Sequence, residues 1–455
     1  MRQATHRPNV VLINCDDMGY GDLGCYGSGA NSTPAVDSLA QEGLRFTDFY
    51  MASPVCSPSR GAMMTGCHPR RIGFDRFEQH WVLFPGQGLG LNPSEVTIAG
   101  LLRAQGYATA IVGKWHCGDQ PEFLPTRHGF DSYFGLPYSN DMGRQTGATQ
   151  YPPLPLLRDD TVIQPQPDQH NLIERYTEEC VRFLRANRER PMFLYMAHMQ
   201  VHLPLYAPQR FLANSRNGRY GACVEAVDWS TAVILRELRE LGLENNTLVI
   251  FTSDNGARGD YGGSNKPLRG RKGTCWEGGL RVPCLMRWPG VIAPGRTCGE
   301  IATSMDLLPT LARLAGTQEP RDRIIDGKDI RALLTDPAAR SPREAFFYYL
   351  SENLQAVRWG KWKLHVHRDD GPVRELYDLQ SDVGECFDVS GEHPDVVAQM
   401  LKLADACRED IGDLATGAAG ANCRPPGRVA NPRPLTVYDP AYPYVQAEYD
   451  LPQRG

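Results

Sequence analysis

Five short apolar runs, Val10 to Asn14, Ala108 to Gly113, Met192 to Met199, Leu248 to Ser253 and Pro283 to Arg287, recur through the first two-thirds of the chain. Each is too short for a helix of ordinary length and rich enough in apolar and β-branched residues to be a buried strand. Between them lie stretches with apolar residues at helical spacing: Ser94 to Gln105, Leu172 to Ala186, Ala222 to Leu241 and Met305 to Ala315. Gly106, Gly242 and Gly316 follow three of these stretches, where a helix stop belongs. Strands alternating with helices predict an α/β fold: a large, mostly parallel or mixed sheet sandwiched by helices.

After about Arg340 the pattern changes to short strands, Ala345 to Leu350, Ala356 to Arg358 and Trp362 to Val366, then a helix near Val396 to Asp410. This reads as a smaller antiparallel sheet with one packed helix. The chain therefore divides into a large α/β domain over 1–340, a small α+β subdomain over 341–416, and an extended Pro- and Tyr-rich tail over 417–455. The Pro-rich segment Asn140 to Asp168 is expected to be a long irregular loop.

With 455 residues, 41% of them hydrophobic, the chain can bury a sizeable core. Its net charge of -5 offers no global attraction to nucleic acid or to an anionic membrane, so neither is expected as a partner. No stretch is long and apolar enough to span a bilayer. The 13 cysteines, scattered without paired spacing, read as reduced thiols. No signal peptide is visible ahead of Asn9, so the expected address is cytoplasmic, or secreted or periplasmic if a leader was trimmed.

Asn14-Cys15-Asp16-Asp17-Met18-Gly19 ends the first strand, and Thr252-Ser253-Asp254-Asn255-Gly256 ends a later one. In open α/β sheets the carboxyl ends of strands border the binding crevice. Asp16, Asp17, Asp254 and Asn255 would there form an oxygen-rich site suited to Ca²⁺, with Mg²⁺ second. Either motif alone reads equally as a turn, because Asp, Asn and Gly are turn residues. Two such motifs after apolar strands favour the metal.

Cys56-Ser57-Pro58-Ser59-Arg60, running on to Thr65-Gly66, places a cysteine at the start of a predicted helix, where free N–H groups attract an anion and Arg60 adds a bidentate donor. This segment resembles the signature of the formylglycine-dependent sulfatases, Cys-x-Pro-Ser-Arg followed by Thr-Gly, the recognition sequence for oxidation of the cysteine. The resemblance spans nearly the whole chain, from Asp16-Asp17 to Glu375-Leu376-Tyr377-Asp378-Leu379 and Gly384-Glu385. Gly135-Leu136-Pro137-Tyr138-Ser139-Asn140-Asp141 makes it most similar to the arylsulfatase A-like branch with its bacterial members. The fold it implies is the alkaline phosphatase and sulfatase type.

Gly113-Lys114-Trp115-His116 matches the family's Gly-Lys-Trp-His segment. Val201-His202-Leu203-Pro204 matches Val-His-x-Pro, with Leu203 where Thr is usual. Pro267 to Thr274, followed by Trp276-Glu277-Gly278-Gly279, matches a further signature whose lysine is Lys272. The resemblance implies that Cys56 becomes formylglycine through a maturation enzyme. Its hydrate would share the metal with Asp16, Asp17, Asp254 and Asn255 and attack the sulfur of a sulfate monoester. Lys114 and Lys272 would clamp sulfuryl oxygens, Arg60 steady the nucleophile, His202 protonate the leaving oxygen and His116 act as base. His198, Trp276 and Glu277 read as packing or scaffold, Asp131 and Asp228 as caps or helix-face residues, and Arg269 and Arg271 as solvated loop.

The expected substrate is an aryl or steroid sulfate, with loops 67–91 and 140–168 shaping the leaving-group pocket. A sulfated carbohydrate such as a glycosaminoglycan would stack there equally well. Two rivals stand: a phosphate or phosphonate monoester hydrolase using the same chemistry, and a catalytically silent binding protein that never matures Cys56.

Overall fold

The computed structural model describes residues 7–368 and 370–455. Its centre is β1 (Asn9–Cys15), seven consecutive buried residues whose side chains feed two cores. Val10 and Leu12 point to one apolar cluster and Val11 and Ile13 to the other. Each such side chain stabilises the fold by about 1.5–3 kcal/mol on burial, so a strand apolar on both faces is held only at the middle of a covered sheet.

Nine further strands complete that sheet: β2 (Leu44–Phe46), β3 (Ala108–Lys114), β4 (Ser132–Leu136), β5 (Pro155–Arg158), β6 (Thr161–Pro165), β7 (Met192–Ala197), β8 (Thr247–Ser253), β9 (Cys284–Arg287) and β10 (Arg296–Cys298). Their order is β10-β2-β9-β8-β1-β7-β3-β4-β5-β6. The run β8-β1-β7-β3-β4 is parallel, and the antiparallel pairs lie towards the edges. Against one face pack α2 (Cys56–Thr65), α3 (Ile98–Ala104) and α6 (Leu307–Leu314); against the other, α1 (Pro34–Gln41), α4 (Leu172–Ala186) and α5 (Gly218–Glu240). The predicted sandwich is what forms.

Two details differ from the sequence reading, and one open choice is resolved. The segment Asn140 to Asp168 is not an irregular loop throughout, because β5 and β6 form a hairpin that extends the sheet edge. Pro155 and Pro165 hide it, yet proline is tolerated in the edge strand β6 and as the first residue of β5, beyond its pairing with β4. The helix expected over Ser94 to Gln105 begins at Ile98 instead, since the Thr97 side chain accepts from the Gly100 N–H and caps it there. Asp228 caps in trans: from within α5 it accepts the Val36 N–H in the first turn of α1.

Four antiparallel strands, β11 (Ala345–Leu350), β12 (Asn353–Trp359), β13 (Trp362–Arg368) and β14 (Gly371–Asp378), form the second sheet. One face carries α7 (Pro394–Ile411) through Met400, Ala404 and Cys407. The other face meets Tyr50, Ala62 and Leu280 of the larger unit through Phe346, Tyr348 and Ala356. The junction also holds buried charge. Lys363 Nζ lies 3.1 Å from Glu277 and 2.8 Å from Glu385, and all three side chains are inaccessible to solvent. Glu277 also accepts from Tyr348 at 2.7 Å and pairs with Arg281 at 3.2 Å, as scaffold should.

Removing one member of a buried ionic group leaves the others uncompensated. Lys363→Met is therefore expected to cost about 3 kcal/mol of stability, the low end of that range because Arg281 and His365 still face the two glutamates. Urea unfolding of the two proteins checks this, and an unchanged midpoint contradicts it.

Candidate active site

The parallel register explains why the site forms. Cys15 stands opposite Ser253, and Ala197 opposite both Asn14 and Gly113. Asp16, Asp254, His198 and Lys114 are thereby brought level at the carboxyl ends of four adjacent strands. Backbone bonds carry the ladder past the strand ends: Asp254 N–H donates to Cys15 C=O at 3.0 Å, Asp16 N–H to Gln200 C=O at 2.9 Å, and Val201 N–H to Asp16 C=O at 2.6 Å. Gly113 sits at φ 116°, and a Cβ there would lie 1.8 Å from the Ala197 carbonyl oxygen, so only glycine lets β3 and β7 meet this closely.

Cys56 is the first residue of α2, a helix buried along its whole length. Its Sγ lies 3.5 Å from Asp16 Oδ1, standing where an oxygen would lie after oxidation. Lys114 Nζ donates to Asp16 Oδ2 at 2.5 Å and to the Ser139 hydroxyl at 3.2 Å. Arg60 Nε donates to Asp254 Oδ2 at 2.8 Å and its Nη1 to the Lys114 carbonyl at 2.7 Å. Lys272 Nζ donates to Asp17 Oδ2 at 2.9 Å, and Asn255 Nδ2 to Asp17 Oδ1 at 2.7 Å. His202 Nε2 is 3.8 Å from Asp17 Oδ2. Nine of the ten residues singled out in the sequence as catalytic or metal-binding are thus linked by direct contacts, and the tenth, His116, lines the same cavity as Cys56.

The electrostatics follow from burial and counter-charge. Burial alone would raise the Asp16 pKa, but Lys114, His202, Arg60 and Lys272 outweigh it and hold the carboxyl well below its usual range. Asp254 is pushed up to about 7, by burial first and then by the Asp16 carboxylate. Burial raises the Cys56 thiol far above the ordinary value, so the unmodified residue is a poor nucleophile. Burial, then Lys114, depresses His116; burial, then Lys272, depresses His202.

Ligating atoms of Asp16, Asp17, Cys56 and His202 lie within 4.8 Å of one another, a grouping that could hold a metal ion. Asn255 Oδ1 is buried without a hydrogen-bond partner, an oxygen placed for a ligand that the polypeptide does not supply. The carboxylate oxygens of Asp16 and Asp17 and the amide oxygen of Asn255 are hard donors that fit Ca²⁺ or Mg²⁺, whereas Cys56 and His202 offer softer atoms. Asp254 stands beside the grouping, its Oδ1 accepting the Asp17 N–H at 3.3 Å.

Above these residues opens a cavity of about 490 Å³, lined on one side by His80, Trp81, Phe84 and Tyr151. The 67–91 and 140–168 segments do shape it. His198 is buried, neither ring nitrogen has a partner, and burial lowers its pKa to about 3, in keeping with a packing role. What the sequence did not reveal is the wall supplied by Arg258, Arg454 and Gly455. The tail folds back over the larger unit: Tyr449 is buried with its hydroxyl on the Pro167 carbonyl at 2.6 Å, and Gly455 N–H donates to Asp141 Oδ2 at 3.1 Å. These contacts join residues hundreds of positions apart, which no local pattern signals.

Fold and site together place interleaved buried acids and cations at the carboxyl edge of an α/β sheet, an arrangement suited to a tetrahedral anion. A family model described as Sulfatase matches residues 8–317, and one described as N-sulphoglucosamine sulphohydrolase, C-terminal, matches residues 271–409. The chain is 36% identical over 540 residues to steryl-sulfatase of Mus musculus, with 95% of this chain and 85% of that one aligned. It is 40% identical over 448 residues to arylsulfatase A of Homo sapiens, covering 87% of each. A crystal structure of a sulfatase from Pseudoalteromonas sp. superimposes with a TM-score of 0.82 at 29% identity, over 88% of this chain and 90% of that one. The chain belongs to the sulfatase family and is a sulfuric ester hydrolase.

Ser139 touches both Lys114 and, at 3.5 Å, His202 Nδ1. Ser139→Ala removes one hydrogen bond to a charged group, and turnover should fall roughly tenfold. Steady-state kinetics on 4-nitrophenyl sulfate check it, with the loss expected in kcat more than in KM.

Proposed function

We propose that the chain hydrolyses aryl or steroid sulfate monoesters, with Cys56 oxidised to formylglycine as its nucleophile and a divalent cation, Ca²⁺ before Mg²⁺, held by Asp16, Asp17, Asp254 and Asn255. The observation that carries this reading is the position of Cys56. Its side chain meets Asp16 at the start of a buried helix, with Lys114 and Lys272 on the flanking carboxylates. When bound, the cation supplies a Lewis acid beside position 56, and the aldehyde hydrate supplies two hydroxyls on one carbon.

The remaining work falls to the chain's own side chains. Lys114 and Lys272 present ammonium groups to sulfuryl oxygens, offsetting the charge that repels a nucleophile. Arg60, locked between Asp254 and the Lys114 carbonyl, holds both in register. His116 Nε2 lies 3.0 Å from the Leu83 carbonyl, so that nitrogen carries the proton, while Nδ1 is buried without a partner. The free Nδ1 lone pair suits His116 to take a proton from the hydrate. His202 Nδ1 lies 2.6 Å from the Leu203 carbonyl, which assigns Nδ1 the proton and leaves Nε2 to exchange one with the leaving oxygen, beside Lys272. The aromatic wall favours a planar apolar alcohol. A sulfated sugar, stacked on the same rings, is the second reading.

Mass spectrometry of the Cys56 peptide from active enzyme should find the aldehyde, and Cys56→Ala should leave no measurable turnover of 4-nitrophenyl sulfate. Only unmodified cysteine in an active preparation would falsify the nucleophile. In thermal unfolding, millimolar Ca²⁺ should raise the midpoint of the wild type and not of Asp17→Asn, while EDTA reverses the gain. A clear preference for 4-nitrophenyl phosphate over the sulfate would instead favour the phosphomonoester rival.

A further inference from the structure

Beside the aromatic wall, the cavity is bordered by Arg258, Arg271 and Arg454. One carboxylate answers them: Asp260 lies 3.1 Å from Arg258 Nε and 3.9 Å from Arg271 Nη1. Arg454 pairs with no acid among the described residues. Its guanidinium lies 4.9 Å from the Tyr151 ring centroid, and its Nη2 is shielded from solvent without a hydrogen-bond partner. A buried donor left unpaired is costly, and a guanidinium fork matches a planar or tetrahedral oxyanion. Arg258 donates to the Arg454 carbonyl, so the two arginines are fixed to each other.

The basic surface continues outward. A second cavity, of about 570 Å³, shares Arg258 and Arg271 with the first and adds Lys266 and Arg269. Among the described residues the three guanidinium groups pair with no carboxylate but Asp260, and Asp141, which lines the first cavity, pairs with none of them, so the cations exceed what local ion pairing needs. A plain aryl or steroid alcohol would leave them idle.

We propose that Arg258, Arg271 and Arg454 form a second anion-binding site, and that the enzyme prefers sulfate esters whose alcohol part bears a further carboxylate or sulfate-like group. This rests on the sulfatase reading above and narrows its substrate class. The aromatic wall takes the body of the alcohol, Lys114 and Lys272 take the scissile sulfate, and the arginines take the distal anion.

The test uses the matured full-length enzyme and four esters of matched size: 2-naphthyl sulfate and its 6-carboxamide, 6-carboxylate and 6-sulfonate. At low ionic strength the anionic esters should show a KM about tenfold below that of the carboxamide, the size of one charge-assisted contact. The gap should narrow as salt is added. In R258A/R271A the ratio of the KM values should collapse towards one. A low KM for only the carboxylate or only the sulfonate identifies the group recognised. Turnover with equal KM for all four, or a ratio that survives in the double variant, overturns the second site and leaves the sulfatase reading intact. No turnover of any ester by enzyme shown to carry the aldehyde overturns both.

Discussion

Gathering like charges inside a protein is the constraint on which this structure turns. Asp16, Asp17 and Asp254 are all essentially inaccessible to solvent, and isolated carboxylates cannot remain ionised in such a place. They persist because Arg60, Lys114 and Lys272 are interleaved with them, each cation arriving from a different element: α2, the end of β3 and the loop before β9. The three pairs leave the polypeptide close to electroneutral there. The proposed divalent cation and a monoanionic sulfate ester would together add a net charge of only about +1.

The parallel centre of the sheet makes that interleaving possible. Five strands pointing the same way bring five turns to one edge, and the β1–β8 and β1–β7 registers align the two acidic turns with the histidine-bearing loop. The smaller sheet contributes at a distance. Glu385, held by Lys363, accepts the Glu277 N–H at 2.8 Å, and its carbonyl accepts from Arg269 at 2.7 Å. Both ends of the loop carrying Lys272 are thereby anchored to the second unit, which makes the C-terminal sheet part of the active site's support.

The inner strands were legible in the sequence because burial on both faces demands unbroken apolar runs, and the site residues because their types and spacing match a specific pattern. Leu44–Phe46 and Arg296–Cys298 were not legible: three residues are too few to show a period. The Pro155–Pro165 hairpin was concealed by the prolines that an edge position permits. Arg258 and Arg454 reach the pocket through contacts almost two hundred residues apart in sequence, and their meeting leaves no trace in the segment around either one.

The returning tail also bears on how the molecule reaches its working state. The central strands need the chain only as far as Ser253, whereas the loop carrying Lys272 also needs Glu385 to anchor it. The cavity wall, by contrast, needs Arg454 and Gly455 to close loops spanning much of the sequence. Long-range closures of this kind form slowly. The part of the pocket that meets the alcohol is therefore built from more distant contacts than the charged cluster beneath it.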